Sequence, residues 1–494
     1  MTVESGVMRF GAYIPRNRLQ RGAVYAANAW FASGLKGLAK GERAIANWDE
    51  DCITMAVEAA RDALDGVDRT SVGALSLAST TLPFADRSNA GIVKEALNLP
   101  DAVSALDVTG SQRAGSSSLL QALKAAQAGG APQLCLASEL RKARPASEGE
   151  LTQGDAAAAM LVGSEDLIAR FVGAHSVTID FVDHYRAAGM DFDYGWESRW
   201  IRDAGYTAMI GGAIADALSA FAIDGAAIDR LIVPVAARGV PAALAKSAGI
   251  RAEAVADTLS ATVGDSGVAH PLLMLCAALE EAGPGEKILV AAFGQGVDLL
   301  LFETTDRISS HSGGRGVRGA LARGVKDDNY LRFLFHRGLL DLDRGMRAEA
   351  DQKQPATTLW RNRKAVLGLV GGRCTKTGTV QFPPSDIGVN PNDRTVGTQE
   401  DYPLAEREAR ILTYTADNLT YSPAPPSYYG MIDFDGGGRM VAEFADVDES
   451  DVEVGRKVRM MFRIKAVDEQ RHFVRYFWKA VPVDGGAREE TSHG

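Results

Sequence analysis

The chain has little cysteine. Four residues in 494, Cys52, Cys135, Cys276 and Cys374, stand singly with no C-x-x-C pair, so their spacing gives neither a disulfide framework nor a metal site. Reduced thiols and no bound metal are the expectation. Long apolar runs are missing as well: none approaches the roughly 18 residues that a membrane helix needs. The opening MTVESGVMRFGAYIP lacks the charged-then-apolar order of a signal peptide. Together these features speak against a membrane partner and for the cytoplasm. Basic charge is not in excess, since 53 Lys and Arg face 63 Asp and Glu for a net charge of -10, and a chain without a basic footprint is not expected to bind nucleic acid. What is present, 46% hydrophobic residues, 23% charged residues and 52 glycines, describes an acidic globular protein. At roughly 100 to 200 residues per domain, the length implies about three structural units.

The stretch Ala105–Gly129, ALDVTGSQRAGSSSLLQALKAAQAG, is the centre of the reading. An apolar run meets a Gly/Ser turn, which opens into a helix with Leu119, Leu120, Leu123 and Ala126 at helical spacing. That is the pattern of a buried loop carrying a nucleophile, yet it holds no cysteine. Before it, GAYIPRNRL reads as a short strand and WDEDCITMAVEAARDAL as a helix with Ile53, Ala56, Val57, Ala60 and Leu64 on one face. GALSLAST (73–80) is a strand, SNAGIVKEALNL a helix and DAVSALDV a strand. After it, QLCLASEL (133–140) and DAAAAMLVG (155–163) are short and almost uniformly apolar, as strands buried on both faces are.

The second half repeats the plan. TAMIGGAIADALSAFAI reads as a helix, RLIVPVAA as a strand, VGDSGVAHPLLMLCAALEEAG as a glycine-rich turn opening into a helix, and KILVAAF and VDLLLFE as strands. The two turn-to-helix elements, around 110–118 and 264–271, should meet across a pseudo-twofold axis and wall one pocket. A polar, glycine-rich linker follows (TDRISSHSGGRGVR), then YLRFLFHRGLLDLDRGM as a helical hairpin and a turn-dense segment. Between Ala409 and Pro482, short strands alternate with turns, which suggests a small closed barrel of the OB kind. The expected divisions are 1–169 and 170–305 for the two halves, 306–355 for linker and hairpin, and 356–494 for the C-terminal unit.

GAYIPRNRL, DEDCITMAVEAA, ASELRKARPASEGELTQGDAAAAMLVG, FVDHYR and GPGEKILVAAFGQG, in this order over about residues 7–303, resemble the hydroxymethylglutaryl-CoA synthase branch of the thiolase superfamily. LWRNRKAVLGLVGGRC, GTVQFPP, YTADNLTYSPAPP, DFDGGGRM, VGRKVRMMFR and YFWKAVP resemble the zinc-ribbon plus OB-fold domain that partners acyl-CoA thiolase-like enzymes. The resemblance implies an α/β chain with the five-layered αβαβα thiolase fold in two pseudo-symmetric halves, and a C-terminal OB-fold β-barrel. It also implies coenzyme A as a thioester ligand, Claisen or retro-Claisen chemistry and a homodimer. The family's nucleophilic cysteine falls at Gln112, with Ser111 beside it; its histidine falls at or next to Pro234 and its glutamate at or next to Thr80. Its thioester-binding asparagine corresponds to Asp265. Of the four ribbon cysteines only Cys374 remains, with Thr377 at its C-x-x-C partner's place, and one thiolate cannot make a four-ligand zinc site.

A glutamine cannot form a thioester with an acyl group, so chemistry without a cysteine adduct is expected. The Gln112 amide and the positive end of the buried helix are candidates to stabilise an enolate oxygen. His270, in the second turn-to-helix element, is the first candidate acid/base. Asp265 is a second if burial raises its pKa, or it orients His270; a helix-capping role is its structural alternative. Ser111 is a candidate nucleophile without the GxSxG context of a serine hydrolase. His184 reads as a polar residue on a pocket rim and Cys276 as an inert core thiol. Arg238 and Lys246 are candidates for the phosphates of CoA. The aromatics Tyr421, Tyr428, Tyr429, Phe462, Tyr476 and Trp478 suit a lid or substrate-presenting role better than base stacking.

Three functions remain open. The leading one is C–C cleavage, or condensation, of a 3-oxo- or 3-hydroxyacyl thioester by a retro-Claisen or retro-aldol step without an acyl-enzyme. The others are a hydroxymethylglutaryl-CoA synthase-like condensing enzyme and a catalytically silent acyl-CoA-binding scaffold.

Overall fold

The computed structural model describes residues 3–310, 314–348 and 355–483. Parts of the expected linker (311–313 and 349–354) and of the C-terminal unit (484–494) lie outside the described residues. Contacts divide the chain into two compact units, Met1–Asp341 and Leu342–Gly494.

In the first unit, five strands form the N-terminal half: β1 (Gly6–Tyr13), β2 (Ala74–Ala78), β3 (Ser104–Val108), β4 (Gln133–Glu139) and β5 (Ala156–Gly163). Their spatial order is β3-β2-β4-β5-β1, with β2 parallel to β3 and β4, and β5 antiparallel to β4 and β1. The second half repeats this with β6 (Ala169–Thr178), β7 (Arg230–Ile232), β8 (Lys287–Phe293) and β9 (Gly296–Thr304) in the order β7-β8-β9-β6 and the same relative directions. The counterpart of β3 shrinks to one parallel bridge between Leu231 and Val255. Where β1 meets β6, the pairs Gly6–Arg170 and Val7–Ala169 join the halves into nine continuous strands.

Helices complete the five layers. On the outside, α1 (Cys52–Ala63) begins with a reciprocal cap between Asp51 and Thr54, and its Ile53, Ala56, Val57 and Ala60 are fully buried. After α2 (Asn89–Ala96) comes α3 (Ala114–Gln127); α4 (Gly211–Phe221) and α5 (Val240–Ser247) precede α6 (His270–Glu281). The middle layer is α3 and α6, whose Leu119, Leu120 and Leu123 share one core with Leu272, Leu273 and Leu275. Gly115 allows this approach, because a Cβ there would stand 2.6 Å from the Val268 carbonyl oxygen. On the far outer face, Ile214, Ala217 and Leu218 of α4 pack over Leu231, Leu289, Leu299 and Leu301. No helix among the described residues is long and apolar enough to cross a membrane.

Three local expectations change. RLIVPVAA supplies only the three strand residues of β7, because Pro234 has no N–H to continue a ladder. The helix ending at Phe221 is preceded by a wide π-helical stretch, Ile201–Ile210. The hairpin expected from Tyr330 onward is one helix, Tyr330–His336, closed by Gly338 at φ 65° and the Leu339 N–H donating to the Leu334 carbonyl.

In the second unit, the short helices Ala356–Arg361 and Arg363–Leu367 precede β10 (Val370–Cys374), β11 (Val380–Gln381) and β12 (Gln399–Pro403), which pair in the order β11-β10-β12. The barrel follows: β13 (Ala409–Ile411), β14 (Thr415–Asp417), β15 (Ser427–Phe434), β16 (Arg439–Glu443), β17 (Lys457–Asp468) and β18 (Phe473–Pro482). The order is β14-β15-β13-β17-β18 with β16 on β15, and a bridge from Phe444 to Ala480 ties the end of β16 to β18. Three of the aromatics considered for stacking or presentation are instead barrel core: Phe462, Tyr476 and Trp478 are 0–4% exposed, and the Trp478 indole donates to the Leu367 carbonyl at 2.7 Å.

Candidate functional site

The loop before α3 is fixed by one buried aspartate. Asp298 of β9 accepts from the Arg113 guanidinium, from Ser116 and Ser117 at the start of α3, and from Ser176, each at 2.8 Å. Arg113 Nε also donates to the Gly294 carbonyl at 2.8 Å. The Ser111 hydroxyl donates to the same carbonyl at 3.0 Å and lies 3.2 Å from the Arg113 N–H. Ser111 therefore ties the turn to the second half and is not held by a base as a nucleophile would be. The Ala114 N–H is taken by the Ser111 carbonyl.

Gln112 has no hydrogen-bond partner among the described residues, and its Oε1 is buried. It meets Gly267 in the turn before α6: a Cβ on Gly267 would stand 2.7 Å from Gln112 Oε1, 3.0 Å from Glu139 Cγ and 3.2 Å from Arg141 Nε. Glu139 Oε1 and Arg141 Nε are likewise buried and unpartnered. Three side chains, each carrying one orphaned polar atom, thus converge where the two halves meet. Leaving such an atom unpaired costs about 1–3 kcal/mol, so a cluster of three marks a place built for something polar.

Glu139, at the end of β4, is fully buried, and its Oε2 accepts from the Thr80 N–H at 3.2 Å and the Thr80 hydroxyl at 3.0 Å. Burial pushes its carboxyl above the usual range, against hydrogen bonding from Thr81 and the charge of Arg141. Thr80 is where the resemblance puts the family's glutamate; a carboxylate stands beside it after all, delivered by a strand 59 residues further on. Sequence reasoning missed Glu139. The signal was there: a carboxylate closing the apolar run QLCLAS, two residues before Arg141.

Asp265 does not meet the condition for a base. Burial pushes its carboxyl up, but Arg141, His270 and the Gly267 N–H outweigh this and hold it at about 2. The carboxylate is partly open and forms an ion pair with Arg141 Nη2 at 3.0 Å, while its Oδ1 accepts from the Gly267 N–H at 2.9 Å. Asp193 stands 3.8 Å from the same guanidinium. These carboxylates with Glu139 keep Arg141 charged despite burial.

His270 is a correction. It is 3% exposed; Nδ1 accepts from the Ser266 N–H at 3.3 Å and lies 3.1 Å from the Ser266 hydroxyl, so Nε2–H donates to the Thr258 carbonyl at 2.9 Å. Both ring nitrogens close the loop that the residue itself ends. Burial lowers its pKa, against the charge of Asp265 and the Thr258 carbonyl, and both ring nitrogens are engaged by the loop rather than turned to the pocket. His184 pairs with Asp183 at 2.9 Å; burial alone would lower its pKa, but that hydrogen bond and charge raise it.

The three cysteines of the first unit are buried. Cys52 donates to the Thr81 carbonyl at 3.3 Å, Cys276 to the Gly11 carbonyl at 3.5 Å, and burial raises both, while Cys135 is pushed up to about 12. Arg238, just before α5, and Lys246, in its last turn, are exposed and unpaired among the described residues.

In the second unit, Cys374 Sγ lies 3.5 Å from Thr395 Oγ1 and 3.2 Å from Thr398 Oγ1. With Thr377, the knuckles read C-x-x-T and T-x-x-T. Sequence reading found the first and missed the second. Hydrogen bonds from Thr377, Thr395 and Thr398 lower the Cys374 thiol to about 6. One thiol and three hydroxyls do not fit a structural zinc ion, and no metal-binding cluster occurs among the described residues.

The hydroxymethylglutaryl-CoA synthase of Caldivirga maquilingensis is 30% identical over 314 residues, covering 61% of this chain and 88% of that protein. The chain belongs to the hydroxymethylglutaryl-CoA synthase family. The synthase of Methanosarcina mazei is 28% identical over 353 residues, 68% of this chain and 99% of that protein. A solved synthase of the family, complexed with CoA, superposes with a TM-score of 0.59 at 18% identity over 71% of this chain and 95% of its own. Residues 402–463 match the family model described as the C-terminal OB-fold domain of ChsH2. This member of the hydroxymethylglutaryl-CoA synthase family is thus a thiolase-fold protein fused to an OB-fold unit. Its two pseudo-symmetric halves meet at Gln112, Glu139, Arg141 and Gly267.

Proposed function

We infer that the protein is an acyl-CoA-handling enzyme that breaks or makes a C–C bond next to a carbonyl without an acyl-cysteine intermediate. The observation that carries this is the unpartnered amide of Gln112 at the mouth of α3, facing a buried carboxyl and a guanidinium, while Cys52 and Cys276 donate to main-chain carbonyls and Cys135 is buried in its strand. A thioester carbonyl finds there an amide and an Nε–H donor for the charge that grows on its oxygen as an enolate forms. CoA as the carrier is supported by the CoA complex of the solved relative. Arg238, two residues before α5, and Lys246, in its last turn, support it too as two exposed cations for phosphates. A homodimer is supported by β3, the edge strand of the nine, whose Leu106 is 61% exposed.

The test is incubation of the purified chain with panels of 3-oxoacyl- and 3-hydroxyacyl-CoA, with and without free CoA, and mass-spectrometric reading of the products. Chain-shortened or extended acyl-CoA is expected with no acylated protein. Tight binding without turnover would assign a silent acyl-CoA-binding role, and an acyl group trapped on Cys52, Cys135 or Cys276 would sink the mechanism.

A further inference from the structure

We propose that His184 is a specificity-determining residue whose Nε2 binds the oxygen at C3 of the acyl group and so tells 3-oxo- and 3-hydroxyacyl thioesters from plain acyl thioesters. The inference rests on the acyl-CoA reading above and deepens it.

His184 stands on a hairpin outside the nine-stranded sheet, where His184–Tyr185 pairs antiparallel with Tyr194–Gly195. Successive side chains of such a pair point to opposite faces, and burial follows that alternation. Tyr185, Tyr194 and Trp196 are 46–56% exposed, whereas the side chains of His184, Arg186 and Asp193 are 13–23% exposed. The second set faces the site. Arg186 Nη2 donates to the Thr80 carbonyl at 2.6 Å and Nη1 to Asp193 at 2.8 Å, and Asp193 stands 3.8 Å from Arg141. His184 thus shares a face with side chains that reach the cluster of Gln112, Glu139 and Arg141.

The ring has one nitrogen to give. Asp183 Oδ2 lies 2.9 Å from Nδ1, and a carboxylate there keeps a proton on that nitrogen. Nε2 has no hydrogen-bond partner among the described residues. Opposite His184 in the pairing is Gly195, where an added Cβ would meet no atom within 4 Å, so the space beside the ring is open. His270, with both nitrogens closed on its own loop, shows the contrasting structural arrangement.

What Nε2 binds depends on its charge. As an imidazolium it donates, and pairs with a 3-oxo carbonyl or with the oxygen of a 3-hydroxyl. As a neutral imidazole with the proton on Nδ1 it accepts, and pairs with the hydroxyl alone. The charged groups around it are Asp183 beside it, Arg186 on its own face, Asp193 on the returning strand and Arg141 after β4; Tyr206 of the π-helical stretch also lies under the charge of Asp183. Burial lowers the pKa of the ring, but the hydrogen bond and charge of Asp183, joined by Asp193, outweigh burial and Arg141 and hold it above the ordinary 6.5. The donor form is therefore present at pH 6.5 and below, and is lost as pH rises through the raised value.

The experiment measures the binding of three non-cleavable CoA thioethers, 3-oxobutyl-, 3-hydroxybutyl- and butyl-CoA, to the full chain by calorimetry at pH 6 and pH 9. The CoA part is common to all three, so its own titration cancels in the ratios of Kd. At pH 6, wild type is expected to prefer both oxygenated ligands to butyl-CoA by about tenfold. At pH 9 it should keep that preference for the 3-hydroxy ligand and lose it for the 3-oxo ligand. H184F should bind the three alike at both pH values. H184Q, whose amide donates and accepts without titrating, should prefer both oxygenated ligands at both. If H184F does not fold by circular dichroism, H184Q and the wild-type pH dependence decide, since a histidine that only supports the hairpin would change neither ratio. Equal affinity of wild type for the three ligands, a 3-oxo preference that does not change with pH, or one that survives H184F would overturn the role of His184 and leave the acyl-CoA reading standing. Binding of none of the three brings down that reading and this inference together.

Discussion

His270 shows how a residue with the right chemistry is spent on structure. Its ring closes Thr258 to Ser266, so His270→Leu should cost about 1–3 kcal/mol for each group left unpaired. Because the folded-state pKa lies below the ordinary 6.5, the unfolded chain takes up its proton first on acidification. The stability from the neutral ring is present above pH 6.5 and is lost as pH falls below it. Urea unfolding at pH 8 and pH 5.5 should therefore show the gap between wild type and variant narrowing in acid; a widening gap would mean a charged ring. Gly267 gives the opposite kind of prediction. A methyl group there intrudes on Gln112, Glu139 and Arg141 at 2.7–3.2 Å, and the backbone holds φ 53°, so G267A should lose turnover and cost about 1–3 kcal/mol in overpacking plus about 1–2 kcal/mol of left-handed strain. Unchanged turnover would remove Gly267 from the site. The turn that carries Gln112 into α3 was legible because its motif is contiguous. Glu139 was not, because its partner Thr80 lies 59 residues away and only the parallel pairing of β2 with β4 brings them together.

At the level of elements, legibility followed the length of the apolar signal. β4 and β5 announced themselves as unbroken runs, and all eight residues of β5 are buried. Misreadings fell where one residue overrides a pattern, Pro234 in β7 and Gly338 after the single helix that replaced the hairpin. The turns around Cys374 show a spacing without a metal-ligand set. Cys374, Thr377, Thr395 and Thr398 form two x-x knuckles that close on one point, and one hydroxyl-bonded thiol does not make a four-ligand zinc site. The purified protein should therefore carry no stoichiometric zinc by mass spectrometric metal analysis. The triple substitution T377C/T395C/T398C should bind one zinc per chain and raise the melting temperature in a chelator-sensitive way. A variant that stays metal-free would show that the knuckles no longer converge closely enough.

For the whole molecule, the decisive surface is the free edge of the nine strands. β3 is hydrogen-bonded only to β2 and has exposed or half-exposed residues throughout, with Leu106 projecting 61% exposed from a sheet whose β4 and β5 are almost wholly buried. An uncovered edge carrying an apolar side chain is the template on which another chain adds strands, and the proposed homodimer uses it. At the opposite edge, β7 is short and already bridged by Val255, which leaves β3 as the longer edge for a twofold partner. Leu106→Lys places a charge in the middle of that edge and, in an antiparallel pairing about a twofold axis, sets it against its own copy. Light scattering of the full chain should then give the monomer mass for the variant and twice that for wild type, with the melting temperature of the monomer lowered. A variant that remains dimeric with an unaltered dissociation constant would move the interface away from β3.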